Sequence, residues 1–159
     1  MQSGGSTKPW RVVAIPDGVD VPDETPYVVK VFSDKNVQQG NSIGKEFICN
    51  FLAGEFDLGV PEACIIDPYN EDFCHTLDYS VRDVLSKKHK GVTYCSKLSN
   101  AILVNGHLGS FNIHDCAAVF AFDCLILNVD RGGHHDKPNL LVDDDGFILI
   151  DHELTLHII

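Results

Sequence analysis

The sequence predicts an α+β chain arranged as one domain in two small lobes, and three observations carry that reading. First, β-branched and aromatic runs over residues 10–15, 27–32 and 60–68 fall in the first half of the chain and have the composition of strands. Second, apolar residues recur at helical spacing over residues 42–59 and again from Asn112 onward. Third, residues 140–142 and 147–150 are apolar and flank Asp143-Asp144-Asp145-Gly146, the pattern of a β-hairpin. With 159 residues the chain is long enough to enclose one core.

In chain order, Gly4-Gly5-Ser6-Thr7-Lys8-Pro9-Trp10 is a glycine-rich turn feeding the first strand. Such a turn lets backbone N–H groups approach phosphate, and its composition equally suits an exposed tail. The strand over 27–32 carries Lys30 in its middle. That ammonium either reaches solvent or pairs with an acid on the next helix. Ser42 is placed to cap that helix, whose stripe is Ile43, Phe47, Ile48, Phe51, Leu52 and Phe56. Glu46, in the first turn, can complete a capping box, favour the helix dipole or reach back to Lys30. The strand over 60–68 closes on Asp67-Pro68, and residues 69–98 read as polar surface with a short helix around 79–88. The helix from Asn112 is so apolar (Ile113, Ala117, Phe120, Ala121, Cys124, Leu125, Ile126) that it should be largely buried. It would then present residues 128–130 at its C-terminal end.

The totals exclude several classes. A net charge of −11 and a pI near 4.9 argue against a phosphate-tracking nucleic-acid surface. No apolar run is long enough to span a membrane, and the N-terminus lacks a signal peptide, so a cytoplasmic location is expected. The six cysteines show no zinc spacing and read as reduced core thiols.

The chemistry concentrates between residues 128 and 153. Asp130 follows the second helix, Asn139 comes nine positions later at the start of the hairpin, and Asp151 ends it. One carboxylate to orient a hydroxyl and accept its proton, with an Asn and an Asp to hold magnesium, is the set phosphoryl transfer needs. Acidic residues around an Asp-Gly hairpin are also commonly just solvated. His134-His135-Asp136 reads as a solvated loop, because adjacent side chains need a distant third ligand to make a metal site.

Taken together, these pieces resemble the HipA-like kinase family, in particular its compact bacterial members. The matching segments are Gly4-Gly5-Ser6-x-Lys8-Pro9-Trp10, Tyr27-Val28-Val29-Lys30, Glu46 in its helix and Leu58-Gly59-Val60-Pro61-Glu62. Further on they are Phe122-Asp123-x-Leu125-x-x-Asn128-Val129-Asp130-Arg131, Pro138-Asn139-Leu140-Leu141-Val142 and Leu149-Ile150-Asp151-His152-Glu153. The resemblance implies a bilobal protein-kinase-like fold: a small β-rich N-lobe with one helix over residues 1–68, and a reduced helical C-lobe carrying a catalytic hairpin over 69–159. It implies an ATP- and Mg2+-dependent transfer of the γ-phosphoryl group to a hydroxyl, as in serine/threonine protein kinases. Asp130 would be the catalytic acid-base residue, with Asn139 and Asp151 on magnesium. Lys30 would grip the nucleotide phosphates, Glu46 would orient it, and Gly4, Gly5, Ser6 and Lys8 would cover the phosphates. Arg131 would fix the catalytic loop through carboxylate or backbone contacts.

The pattern also departs from ordinary kinases. Their metal-binding Asn follows the catalytic Asp by about five positions, so a bulge must return Asn139 here. The chain begins at the glycine-rich turn and stops just after Asp151, with an apolar end, Leu156-His157-Ile158-Ile159, that offers a surface to a partner or a second copy. A catalytically impaired module acting through protein contact, and a kinase for a lipid or small-molecule hydroxyl, are the alternatives.

Overall fold

In the computed structural model, which describes residues 9–15, 25–104, 113–131 and 138–156, the fold is mixed α/β, with two small antiparallel sheets and five helices among those residues. The chain divides into two compact units, Met1–Ile43 with Glu62–Leu98, and Gly44–Pro61 with Ser99–Ile159.

The first unit is built on a four-stranded sheet of β1 (Trp10–Val13), β2 (Pro26–Val29), β3 (Ala63–Ile66) and β4 (Thr93–Lys97), in the order β1-β2-β4-β3. Alternation puts Tyr27, Val29 and Cys95 on one face, where they are buried with Val31 and Leu85. Leu85 comes from α4 (Tyr79–Ser86), and Cys74 of α3 (Glu71–Thr76) packs on the same cluster. Tyr69 ties this layer down by donating its hydroxyl to the carbonyls of Leu85 (2.7 Å) and Lys88 (3.1 Å). A further short helix, α1 (Asp34–Gln38), is capped by Ser33, whose side chain accepts from the Asn36 amide.

Two expectations change here. The segment 69–98 is not merely polar surface, because it contains β4, an interior strand of the sheet. Thr93 and Ser96 are buried in it, and the Thr93 hydroxyl donates to the Lys30 carbonyl at 2.6 Å. Buried polar residues of this kind hide a strand from any reading based on apolar alternation. Lys30, expected mid-strand, lies one residue past the end of β2, with its amide still bonded to the Tyr94 carbonyl at 3.1 Å.

The second unit holds α2 (Ser42–Glu55), α5 (Ile113–Leu125) and a three-stranded sheet of β5 (Ile102–Leu103), β6 (Leu140–Asp143) and β7 (Gly146–Leu149), in sequence order. Cys49, Ala53, Val104, Val119, Phe122, Ile126, Leu140 and Leu149 form its core. Both helices bury stripes other than those expected. On α2 the buried face is Glu46, Cys49, Asn50 and Ala53, while Ile48, Phe51 and Phe56 are exposed. On α5 it is Val119 and Phe122, continuing to Ile126, while Phe120 and Leu125 are exposed, so the helix is not largely buried. A helix apolar on every side gives no periodicity from which to choose the packed face. On α2 the small Cys49 and Ala53 allow close packing and Glu46 has a specific partner inside. Ser42 does not cap α2 but is its first residue, and its hydroxyl donates to the Asn36 carbonyl at 3.1 Å.

Candidate functional site

The site grows from the end of α5. The helix stops in a left-handed turn at Leu127 (φ 55°), with the Leu127 amide on Cys124 (3.3 Å) and the Asn128 amide on Asp123 (2.8 Å). That turn redirects the chain, and Asn128 consolidates it. Its amide nitrogen donates to Asp123 Oδ1 at 2.9 Å, and its Oδ1 accepts from the Asp130 backbone at 3.1 Å. Asp123 and Asn128 belong to the recognised sequence pattern, but only the folded turn reveals that they hold the next residues in place.

Arg131 is the central brace. Its Nε donates to both Asp123 carboxylate oxygens, at 3.1 and 2.8 Å, in an ion pair whose side chains are 6% and 13% exposed. Its Nη1 reaches the backbone carbonyls of Asn139 and, at 3.4 Å, Ile150. One guanidinium therefore ties the end of α5 to the open end of the β6–β7 hairpin, a use for which its planar fork of donors is suited.

The hairpin ladder continues one pair beyond its named strands, because the Ile150 amide donates to the Asn139 carbonyl at 3.2 Å. Asn139 is a member of that last pair and Asp151 follows it, and both have left-handed backbones, with φ of 46° and 63°. Asn and Asp tolerate this conformation better than other non-glycine residues. Asn139 is buried, and its Nδ2 donates to Asp130 Oδ2 at 3.2 Å. The nine-position gap between them is thus closed in space. The bond turns the amide nitrogen toward the carboxylate and keeps the amide oxygen, the atom a hard cation needs, away from it. Asp130, Asn139 and Asp151 offer only oxygen donors to a metal, the set Mg2+ prefers. Among the described residues, no group of three or more His, Cys, Asp or Glu side chains forms a metal cluster.

Glu46 is 1% exposed and accepts from the His152 amide at 3.2 Å, with His152 Nδ1 at 3.8 Å from its other oxygen. It therefore links α2 to the residue after Asp151. Behind it, the Thr155 hydroxyl donates to the His152 carbonyl at 2.7 Å and lies 3.2 Å from Cys49 Sγ. Burial raises the Cys49 thiol above its ordinary range, and the Thr155 contact partly offsets that.

Lys30 belongs to the first unit, where its Nζ sits 5.9 Å from the centre of the Tyr94 ring. Register places both residues on the sheet face opposite Tyr27, Val29 and Cys95. The face that carries Tyr27 and Cys95 has a cavity of about 580 Å3, lined by residues that include Val12, Tyr27, Cys64, Ile66 and Cys95. The cavity is therefore not part of the Lys30 surface. Gly4, Gly5, Ser6 and Lys8, with His134 and His135, lie outside the described residues.

A family model described as HipA-like kinase matches residues 5–158, nearly the whole chain. No curated protein and no solved structure matches the sequence.

Proposed function

Since the chain belongs to the HipA-like kinase family, a family of kinase-like phosphotransferases, we propose that it transfers the γ-phosphoryl group of ATP to a hydroxyl in a Mg2+-dependent reaction, within a bilobal kinase-like fold. The acceptor in this proposal is a protein Ser or Thr, and the location cytoplasmic; no described helix is long and apolar enough to cross a membrane. A net charge of −11 disfavours an anionic lipid as acceptor. The observation that most supports the reading is the Asn139–Asp130 hydrogen bond, made across nine positions inside a loop braced by Arg131.

In this mechanism Asp130 orients the acceptor hydroxyl and takes its proton as the oxygen bonds to the γ-phosphorus and the bond to the β–γ bridging oxygen breaks, releasing ADP. The Asn139 amide fixes the rotation of that carboxylate. Asn139 and Asp151 present oxygens to Mg2+, which when bound supplies neutralisation of the phosphate charge. Lys30 holds the α- and β-phosphates, Glu46 orients it, and Gly4, Gly5, Ser6 and Lys8 cover the phosphates. Arg131 acts by position, since its Nε and Nη1 donate to Asp123 and to backbone carbonyls. Placement and charge stabilisation do most of the work in such a reaction.

The test is release or transfer of the γ-phosphoryl group from labelled ATP, with Mg2+ and with chelator. Wild type should turn over only with the metal, and Asn139→Ala should need far more Mg2+ to reach a rate reduced at least about tenfold. Turnover indifferent to both chelator and Asn139→Ala would contradict the proposal.

A further inference from the structure

The catalytic reading leaves two cysteines of the first unit unused. Cys64 on β3 and Cys95 on β4 stand directly opposite each other in the antiparallel register. Directly opposed residues have Cα atoms about 4.5–5.5 Å apart, inside the 4.4–6.8 Å range that a disulfide spans. The two side chains share one sheet face, and the Cys95 thiol donates to the Cys64 carbonyl at 3.3 Å. Both line the 580 Å3 cavity, and both are free thiols. Cys64 is partly exposed whereas Cys95 is buried.

We propose that Cys64 and Cys95 form a redox-active thiol pair that closes to a cross-strand disulfide when hydrogen peroxide enters the cavity they line. Cys64 is the attacking residue, because it is the more accessible of the two. Its thiolate sulfur bonds to one peroxide oxygen, the O–O bond breaks, and the departing hydroxide leaves as water with the thiol's proton. The Cys95 sulfur then bonds to Cys64 sulfur, the S–O bond breaks, and hydroxide takes the Cys95 proton as a second water. Two electrons pass from the thiols to the peroxide. Burial raises both thiols, Cys64 above its ordinary range and Cys95 up to about 12, so each step quickens as pH rises. The bond would lock β4 to β3 next to Tyr94, the ring that carries Lys30 on the other face.

The experiment treats the reduced, folded 159-residue chain with hydrogen peroxide, blocks remaining thiols, and maps linked peptides by mass spectrometry without reduction. The expected result is one peptide pair joining Cys64 to Cys95, reversed by dithiothreitol and accompanied by a melting temperature raised by about 5 °C or more. The same pair should form in Cys124→Ser and vanish in Cys64→Ser. The wild-type map decides the matter even if Cys64→Ser fails to fold. Over-oxidation of Cys64 with Cys95 still free, a link between any other two cysteines, or no reaction at either residue while exposed Cys124 oxidises would each overturn the proposal.

Discussion

Arg131 shows how much of the site depends on residues that touch no substrate. Its guanidinium is 6% exposed and is neutralised by Asp123, itself 13% exposed. Removing one partner of such a pair leaves a buried charge uncompensated, which costs about 3–5 kcal/mol. Asp123→Ala should therefore lower the unfolding free energy by about 3 kcal/mol in chemical denaturation. Asp123→Asn, which keeps one acceptor, should lose less. If Asp123→Ala unfolds at the wild-type midpoint, Arg131 is not the brace described here. The adjacent Asp130-Arg131 was plain in the sequence, as was a bracing role for Arg131 through carboxylate or backbone contacts. That the Arg would turn back to Asp123 was not, because the left-handed turn at Leu127, a residue with no special preference for it, is set by tertiary packing.

At the scale of the elements, two glycines a few residues apart have opposite roles. Gly54 lies in α2, and a Cβ there would meet only Val60 Cγ2 at 3.9 Å. Gly59 follows the helix and bridges to Ile148 of β7, with its carbonyl accepting from the Leu149 amide at 2.8 Å. A Cβ at Gly59 would come within 2.2 Å of the Phe147 carbonyl oxygen, a backbone atom that cannot swing aside. Gly54→Ala should stabilise the chain by up to about 1 kcal/mol through helix propensity. Gly59→Ala should destabilise it by about 1–3 kcal/mol by prising the strand off β7. Equal effects of the two substitutions in urea unfolding would contradict this packing. The hairpin was legible beforehand because an Asp-Gly turn and apolar flanks agree. β4 was not, since its Thr93 and Ser96 are buried polar residues that break the apolar pattern, and neither helix could declare which apolar side packs inward.

For the molecule as a whole, the sequence pattern singled out Asp130, Asn139 and Asp151 and called for a bulge to return Asn139, without saying what would hold it. The folded chain supplies one: a helix-ending turn on one side, a hairpin end with left-handed Asn139 and Asp151 on the other, and Arg131 between them. The supporting residues Asp123, Asn128 and His152 emerge only from those contacts. The same division applies to the thiols: the sequence read all six as core residues, whereas Cys124 is exposed and only register pairs Cys64 with Cys95. What the account turns on is Asp130 as the group that takes the acceptor's proton. The most direct measurement is γ-phosphoryl transfer by Asp130→Asn beside wild type, with ATP binding followed by calorimetry on the same samples. The account predicts that transfer falls by about 10²–10⁴-fold while ATP affinity is kept. Transfer at the wild-type rate with Asp130 replaced would contradict it.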